Sequence, residues 1–195
     1  MNVDGLARLI IGAVVGLAIY LAGRSLGRVG TRSLLFGAHQ FLWHPLTVGW
    51  AWRALYDRGP TWREWVCIVV HDIGYFGLKA MDDAEGQRHP YLGANIVRRL
   101  FGGPSYRLVL GHSRHLARSE GFAVSPLCWA DKRSISYEPA WWYLFRARLS
   151  GELTEYRQMA AAAGFMPASA PDREWFLALQ RHWTQLADEA RPAAR

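Results

Sequence analysis

The sequence is poor in several residue types, and each shortage argues against a class of protein. Only two cysteines, Cys67 and Cys128, occur among 195 residues, both in apolar segments. A disulfide-stapled secreted scaffold is therefore disfavoured, and a reducing compartment is the simpler interpretation. Lysine occurs only at Lys79 and Lys132, and the arginines are scattered without a long basic run. The formal net charge of +7 fits a membrane surface or a phosphorylated ligand, but this scatter argues against nucleic-acid binding.

The sequence also lacks any alternating apolar and polar run long enough to form a sheet, so we predict an all-α fold. Helix start and stop signals are frequent instead. Thr61 and Glu64 form a capping box ahead of "WREWVCIVVHD", and Gly102 with Gly103 ends a helix that His89 begins. The predicted helices cover residues 45–56, 62–72, 89–101, 104–121, 125–137, 139–149, 151–164 and 171–190.

Formal charge is absent from residues 9–23, "LIIGAVVGLAIYLAG". This stretch is shorter than the roughly 20 residues that span a bilayer, although Arg8 could extend it by snorkelling. Arg24, Arg28 and Arg32 follow it, and this excess of positive charge predicts an anchor in the inner (cytoplasmic) membrane with the rest of the chain in the cytoplasm. A buried or interfacial helix and a secretory signal peptide are the alternatives.

A second uncharged stretch, Leu34–Trp52, is long enough to be taken for another membrane span. It contains His44 among other polar residues, which are costly in lipid. We therefore interpret it as the first helices of a buried core. This core would rest on a membrane through Trp43, Trp50 and Trp52.

A set of histidines and aspartates occupies the middle of the chain. His71 and Asp72 come directly after the apolar run "CIVV", and burying either group is costly unless it is paired or bound to a metal. Spread over five helices, the whole set could converge on two metal ions in a bundle. Imidazole and carboxylate donors suit Fe, Mn or Zn better than Ca²⁺ or Mg²⁺ alone. Six of the seven histidines lie between positions 39 and 115, and Asp131 follows them.

The order of these residues and the motifs around them resemble the HD-domain superfamily of metal-dependent phosphohydrolases over about residues 36–156. The segments "VVHDIGY", "HPYLGANIV", "GHSRH" and "WADK" carry the resemblance. It implies an HD-type helical bundle over residues 34–160, preceded by an anchor helix and basic segment over 1–33 and followed by a helical extension over 161–195. It further implies one metal bound by His44, His71, Asp72 and Asp131, and a second by His89 and His112, with the Asp72 carboxylate bridging the two.

In function, the resemblance implies hydrolysis of a phosphate ester on a small molecule by a hydroxide that bridges the two metals. The expected catalytic residues are Asp72 together with Arg114 and Lys132, which would bind the phosphate. A homo-oligomer is compatible with the sequence. Tyr75 stands where many members carry lysine, which puts that lysine's role in phosphate binding in doubt. Gln40 stands where some carry a glutamate ligand, so a third metal is not expected. The "GYP" motif of cyclic-di-GMP hydrolases is absent.

Two other functions remain open from the sequence. The same six ligands resemble mixed-valent diiron oxygenases built on the HD fold, and a metal could also staple a non-catalytic scaffold at the membrane. Among the remaining histidines, His39 is expected to pack beside a ligand, and His182 to lie outside the site. His115 is expected on the same helix face as His112, where a ligand, a substrate contact and a structural role are equally open.

Overall fold

The computed structural model describes Gly23 and residues 25–190, which contain no β-strand, and the predicted all-α fold class is confirmed. Three 3₁₀ turns connect the helices, at Ile73–Tyr75, Gly86–Arg88 and Ile135–Tyr137. The α-helices from Val29 onward are α1 (Val29–Phe36), α2 (Trp43–Tyr56), α3 (Trp62–Val70), α4 (Pro90–Phe101), α5 (Gly103–Leu110), α6 (Arg114–Glu120), α7 (Pro126–Ser134), α8 (Ala140–Ser150), α9 (Glu152–Ala162) and α10 (Asp172–Glu189).

The ends of α3 and α4 follow the local signals in the sequence. Thr61 Oγ1 accepts a hydrogen bond from the Glu64 amide, and the Thr61 amide donates to the Glu64 carboxylate, so the predicted capping box is confirmed. Helix α3 then ends at Val70, and His71 is its C-cap. Helix α4 has proline in its first turn and ends at Gly102, whose φ of 83° strongly favours glycine.

The prediction of one continuous helix over residues 104–121 is wrong. The chain forms α5 and α6 instead, with Gly111 ending the first and Ser113 capping the second by accepting a hydrogen bond from the Leu116 amide. Serine in this capping geometry competes with helix continuation because its hydroxyl satisfies a free amide of the new first turn. His112 therefore lies in the link between the helices, and it does not share a helix face with His115.

Two groups of buried apolar side chains hold the helices together. The first lies among α2, α3, α4, α5 and α7, and the second joins α8, α9 and α10. Trp52 is only 1% exposed within the first group, so the expectation that it rests on a membrane is wrong. Trp50, by contrast, is 44% exposed. Helix α2 packs along α7, and α10 packs against both α7 and α8. The largest buried side chains of these groups are Trp52, Ile68, Leu127, Trp175 and Phe176.

Within the described part of the chain, no helix combines the length and the apolar character needed to cross a bilayer. Apart from Gly23, the predicted anchor at residues 9–23 lies outside the described residues. The stretch Leu34–Trp52 contains the end of α1 and the first part of α2, and the buried Val48, Ala51 and Trp52 make it part of the core, as the sequence predicts.

Candidate metal centre

Three histidine rings are oriented by the same type of local hydrogen bond. His71, His89 and His112 each follow a helix or a 3₁₀ turn, and each ring donates from Nδ1 to the carbonyl oxygen three residues earlier. The Nδ1–O distances are 2.6, 2.7 and 2.6 Å. These carbonyls lie in the last turn, where helical partners run out, so each keeps a lone pair that can accept from the ring and fix its orientation. All three Nε2 atoms remain available at the centre of the fold.

Two glycines let the start of α4 approach His71 and Asp72. A Cβ added at Gly74 would lie 2.0 Å from the carbonyl oxygen of His89, and one at Gly93 would lie 2.2 Å from that of Val70. Any side chain at either position would push α4 away from the end of α3. The glycines of "HDIG" and "HPYLGA" are thus explained by close backbone packing, which brings His89 beside His71 and Asp72.

The remaining two ligand candidates come from helices that pack side by side. His44 lies in the first turn of α2 and Asp131 lies in α7. His44 Nε2 is 3.1 Å from Asp131 Oδ1 and 3.3 Å from His71 Nε2. The structure therefore brings His44, Asp131 and the His71–Asp72 pair together, although they are far apart in sequence.

The Asp72 carboxylate lies between two groups of imidazoles. Its Oδ2 atom is 3.0 Å from His71 Nε2 and 3.4 Å from His44 Nε2. Its Oδ1 atom is 3.4 Å from His112 Nε2 and 3.5 Å from His89 Nε2. One carboxylate oxygen thus faces each group, which is the arrangement that a bridging ligand requires.

His89 and His112 have a contact that neutral histidines cannot make favourably. Their Nε2 atoms are 2.9 Å apart, yet both rings already donate from Nδ1 to a carbonyl. A neutral imidazole carries one N–H, so both Nε2 atoms present lone pairs to each other. Burial lowers the pKa of His89 well below its usual value, so His89 stays neutral. A cation between the two nitrogens relieves their repulsion.

One proton is not enough to satisfy the polar atoms around His44. His44 Nε2 faces His71 Nε2, Asp131 and Asp72 within 3.4 Å, and one N–H points at only one acceptor. Asp72 Oδ2 is buried, and no described residue makes a hydrogen bond with it. Two donors at about 2.1 Å from a metal and at right angles are about 3.0 Å apart, which is close to the spacing here. The donor set fits metal ions.

The four imidazoles and two carboxylates form two overlapping sets that share His71. His44, His71 and Asp131 hold donor atoms within 4.8 Å of one another, as do His71, Asp72 and His112. The contacts described above place Asp72 Oδ2 with the first set. They place His89 and Asp72 Oδ1 with His112 in the second set. These buried groups could hold metal ions, and imidazole with carboxylate suits Zn, Fe or Mn.

Charge in the cluster is balanced by protons when no metal is bound. Burial alone would raise the pKa of Asp72, but His71 and the neighbouring imidazoles lower it well below its usual range. For His71, burial has the opposite effect and lowers the pKa. The Asp72 and Asp131 carboxylates outweigh burial and raise the pKa of His71 to about 10. Binding of a metal ion therefore releases protons, since histidine ligates in its deprotonated form.

A cavity of about 320 Å³ opens onto these ligands and is lined by three cationic side chains. Lys132 Nζ is 3.0 Å from Asp131 Oδ2 and 5.6 Å from the ring centre of Trp183. The Arg114 guanidinium lies 5.2 Å from the same ring, and Arg118 also lines the cavity. The structure thus brings both predicted phosphate-binding residues, Arg114 and Lys132, to the cavity that contains Asp72.

Trp183 on α10 was not identified from the sequence as a site residue. It lines the cavity and packs against both cations, and its neighbour His182 lines an adjoining cavity. The segment "LQRHWTQL" is an ordinary amphipathic helix pattern, and no local signal indicates that its tryptophan reaches the metal centre. Only the packing of α10 on α7 brings Trp183 beside Lys132.

Glu152 on α9 is a second residue that sequence reasoning missed. It is 0% exposed, and it accepts hydrogen bonds from the Ala38 amide and the Ser33 hydroxyl. The Ser33 hydroxyl is also 2.9 Å from His39 Nδ1, and the His39 ring centre lies 5.5 Å from that of His44. His39 packs beside a ligand candidate, and a buried carboxylate holds it there.

No family model matches the chain, and neither does any curated protein or solved structure. The motifs and the geometry of the cluster are therefore the basis for any assignment of function.

Proposed function

We propose that the chain is a metal-dependent phosphohydrolase of the HD type, which holds two divalent metal ions and hydrolyses a phosphate ester on a small molecule. One observation carries the proposal: four imidazole Nε2 atoms converge on a single buried carboxylate whose two oxygens face different pairs of them. Such an arrangement is unfavourable for neutral side chains and favourable around cations.

The assignment of ligands follows the contacts in the cluster. His44, His71, Asp131 and Asp72 Oδ2 would hold one ion, and His89, His112 and Asp72 Oδ1 the other. Fe, Mn and Zn are the candidates that suit these donors. Bound there, such ions would supply Lewis-acid activation of water and neutralise phosphate charge.

The chain's own cations are arranged to bind a phosphate group in the cavity. Lys132 keeps its proton, because burial lowers its pKa but the Asp131 carboxylate raises it more, with a net shift upward. Arg114 is always charged and can bind two phosphate oxygens at once. Both are held against Trp183, which restricts their motion before substrate binds. A reaction of phosphate esters uses these cations more directly than an oxygenase reaction would.

Metal content and a panel of phosphate esters test the proposal. Protein purified without oxygen is expected to contain close to two metal ions per chain and to release phosphate under argon when Mn²⁺ or Co²⁺ is supplied. His71→Ala combined with Asp72→Ala is expected to abolish the phosphate release. Tightly bound iron with an O₂-dependent spectral change, and no phosphate release, would support the diiron oxygenase instead. Loss of folding stability with no activity in any assay would support the scaffold.

We also propose that the protein is anchored in the inner (cytoplasmic) membrane with its metal centre on the cytoplasmic side. Residues 9–22 carry no formal charge, and arginines follow them. A depression of about 410 Å³ with apolar walls lies between α2 and α8, and several of its residues are exposed. These are Phe36, Leu42, Leu46, Phe145 and Leu149. The full-length chain should stay with membranes after alkaline carbonate extraction, and recovery in the soluble fraction would contradict the anchor.

A further inference from the structure

The metal centre adjoins a second, larger cavity of about 530 Å³. The two cavities share lining residues, including Tyr75, Asp131, Lys132 and Trp183, so they adjoin beside Asp131. A volume of this size lies within the about 300–1,000 Å³ that is typical of pockets for drug-sized molecules. A substrate whose phosphate occupies the first cavity would extend its remaining part into the second.

The walls of the larger cavity are chiefly apolar and aromatic. Most of them come from α8, α9 and α10 and from the segment between α9 and α10. Its apolar walls include Tyr143, Tyr156, Ala160, Phe165, Trp175 and Leu179.

Three polar groups that reach this cavity are committed to partners within the protein. Glu138 pairs with the buried Arg146 at 2.6 Å, and the Ser134 hydroxyl donates to the Asp131 carbonyl at 2.6 Å. Tyr156 donates to the Glu152 carboxylate at 3.2 Å. These three groups are therefore not free to bind the edge of a nucleobase. The chiefly apolar walls suit an apolar or aromatic group.

From these walls we infer that the substrate is an amphipathic phosphate monoester, whose phosphate binds between Arg114 and Lys132 and whose bulky apolar or aromatic group fills the larger cavity. The inference rests on the proposed function, which it deepens by naming the class of substrate. Burial of the apolar group contributes binding free energy that a small polar ester lacks. The protein is therefore selective for 1-naphthyl phosphate over glycerol phosphate.

The test separates the apolar site from the hydrolysis. Calorimetric titration of 1-naphthol, which carries no phosphate, into the full-length protein measures the apolar site alone. Ala160→Phe places a ring in the cavity from α9, and Ala162→Phe makes the same change two residues further on, where the side chain is exposed and does not line the cavity. Circular dichroism checks that both variants fold.

We expect Ala160→Phe to weaken naphthol binding at least tenfold and to lower kcat/KM for 1-naphthyl phosphate by a similar factor. The same variant should lower kcat/KM for glycerol phosphate much less than for 1-naphthyl phosphate, so that the selectivity between the two esters falls, and Ala162→Phe should behave as wild type. If small esters are hydrolysed but naphthol does not bind, or binds equally to both variants, the inference fails and the proposed function stands. If naphthol binds and Ala160→Phe blocks it, but no ester is hydrolysed with any metal, the phosphohydrolase assignment fails, and with it the identification of the ligand as a substrate.

Discussion

Replacing Asp72 with asparagine tests the bridging arrangement directly. The side chain keeps its size but loses its charge and one of its two carboxylate oxygens. Each oxygen lies 3.0 to 3.5 Å from two imidazole nitrogens, so both donor sets lose affinity together. The first set would keep His44, His71 and Asp131, but the second would keep only His89 and His112.

The expected magnitude follows from linkage between metal binding and folding. An ion at 100 times its dissociation constant stabilises the folded protein by about 2.7 kcal/mol. For a chain of this size that is a rise in Tm of about 5–11 °C, at about 2–4 °C per kcal/mol. Loss of a ligand weakens affinity by at least about 100-fold, judging from the effect of groups that only support ligands. The same metal concentration then contributes about 0.4 kcal/mol, or about 1–2 °C.

Thermal unfolding with and without Mn²⁺, combined with elemental analysis, measures this difference. Asp188→Asn is the matched control, because its carboxylate is half exposed and pairs with Arg133 away from the metal centre. Only Asp72→Asn should lose the metal-dependent rise in Tm and the bound metal. If Asp72→Asn keeps both, the carboxylate does not bridge and the reasoning from its two oxygens is refuted.

Three further changes probe the packing, the phosphate site and the electrostatics of the fold. Gly74→Ala should destabilise the protein by about 1–3 kcal/mol in urea unfolding, because the new Cβ would lie 2.0 Å from the His89 carbonyl oxygen. Lys132→Met should lower kcat/KM for phosphate esters by about 100-fold, since it removes a fixed positive charge from the cavity, and steady-state assays would measure the loss. Glu64→Gln should cost about 0.5–1 kcal/mol at pH 7 and little near pH 2 by chemical denaturation. Its hydrogen bonds to Arg58, which is exposed, lower the Glu64 pKa to about 2, so this stability is present above the usual carboxyl pKa of about 4.5 and is lost as the pH falls toward 2.

Each of these expectations has a control or a contradicting result. Gly59→Ala should be nearly neutral, since nothing lies within 4 Å of a Cβ at that position, and an equal loss in both glycine variants would remove the role of close packing. Lys132→Arg should retain part of the activity, and full activity in Lys132→Met would show that this charge does not bind phosphate. A penalty for Glu64→Gln that is unchanged between pH 7 and pH 2 would mean that packing, and not the ion pair, is responsible.

The sequence predicts the parts of this fold that depend on neighbours within a turn or two. The capping box at Thr61, the end of α3 close to His71 and the glycine stop at Gly102 all arise from hydrogen bonds or backbone freedom within a few residues. One clear error, the continuous helix over residues 104–121, came from giving apolar periodicity more weight than the capping serine at 113. Serine is a preferred N-cap residue, so Ser113 is a local signal in the sequence that a new helix begins there.

The candidate ligands were also recognisable in the sequence, because burying an imidazole beside a carboxylate is costly without a partner. Their grouping was not recognisable from the residues alone. Which oxygen of Asp72 faces which pair of histidines depends on the close approach of α4 to α3 at Gly74 and Gly93, and on the alignment of α2 with α7.

The all-helical fold class and the candidate metal ligands near helix ends follow from the sequence, since capping, helix stops and side-chain chemistry are properties of short segments. Helix packing is what places Trp183 against Lys132, buries Glu152 beside His39 and puts an apolar cavity next to the candidate metal centre. These contacts join α9 and α10 to helices much earlier in the chain. Their geometry depends on how whole helices pack, which no local pattern of residues specifies.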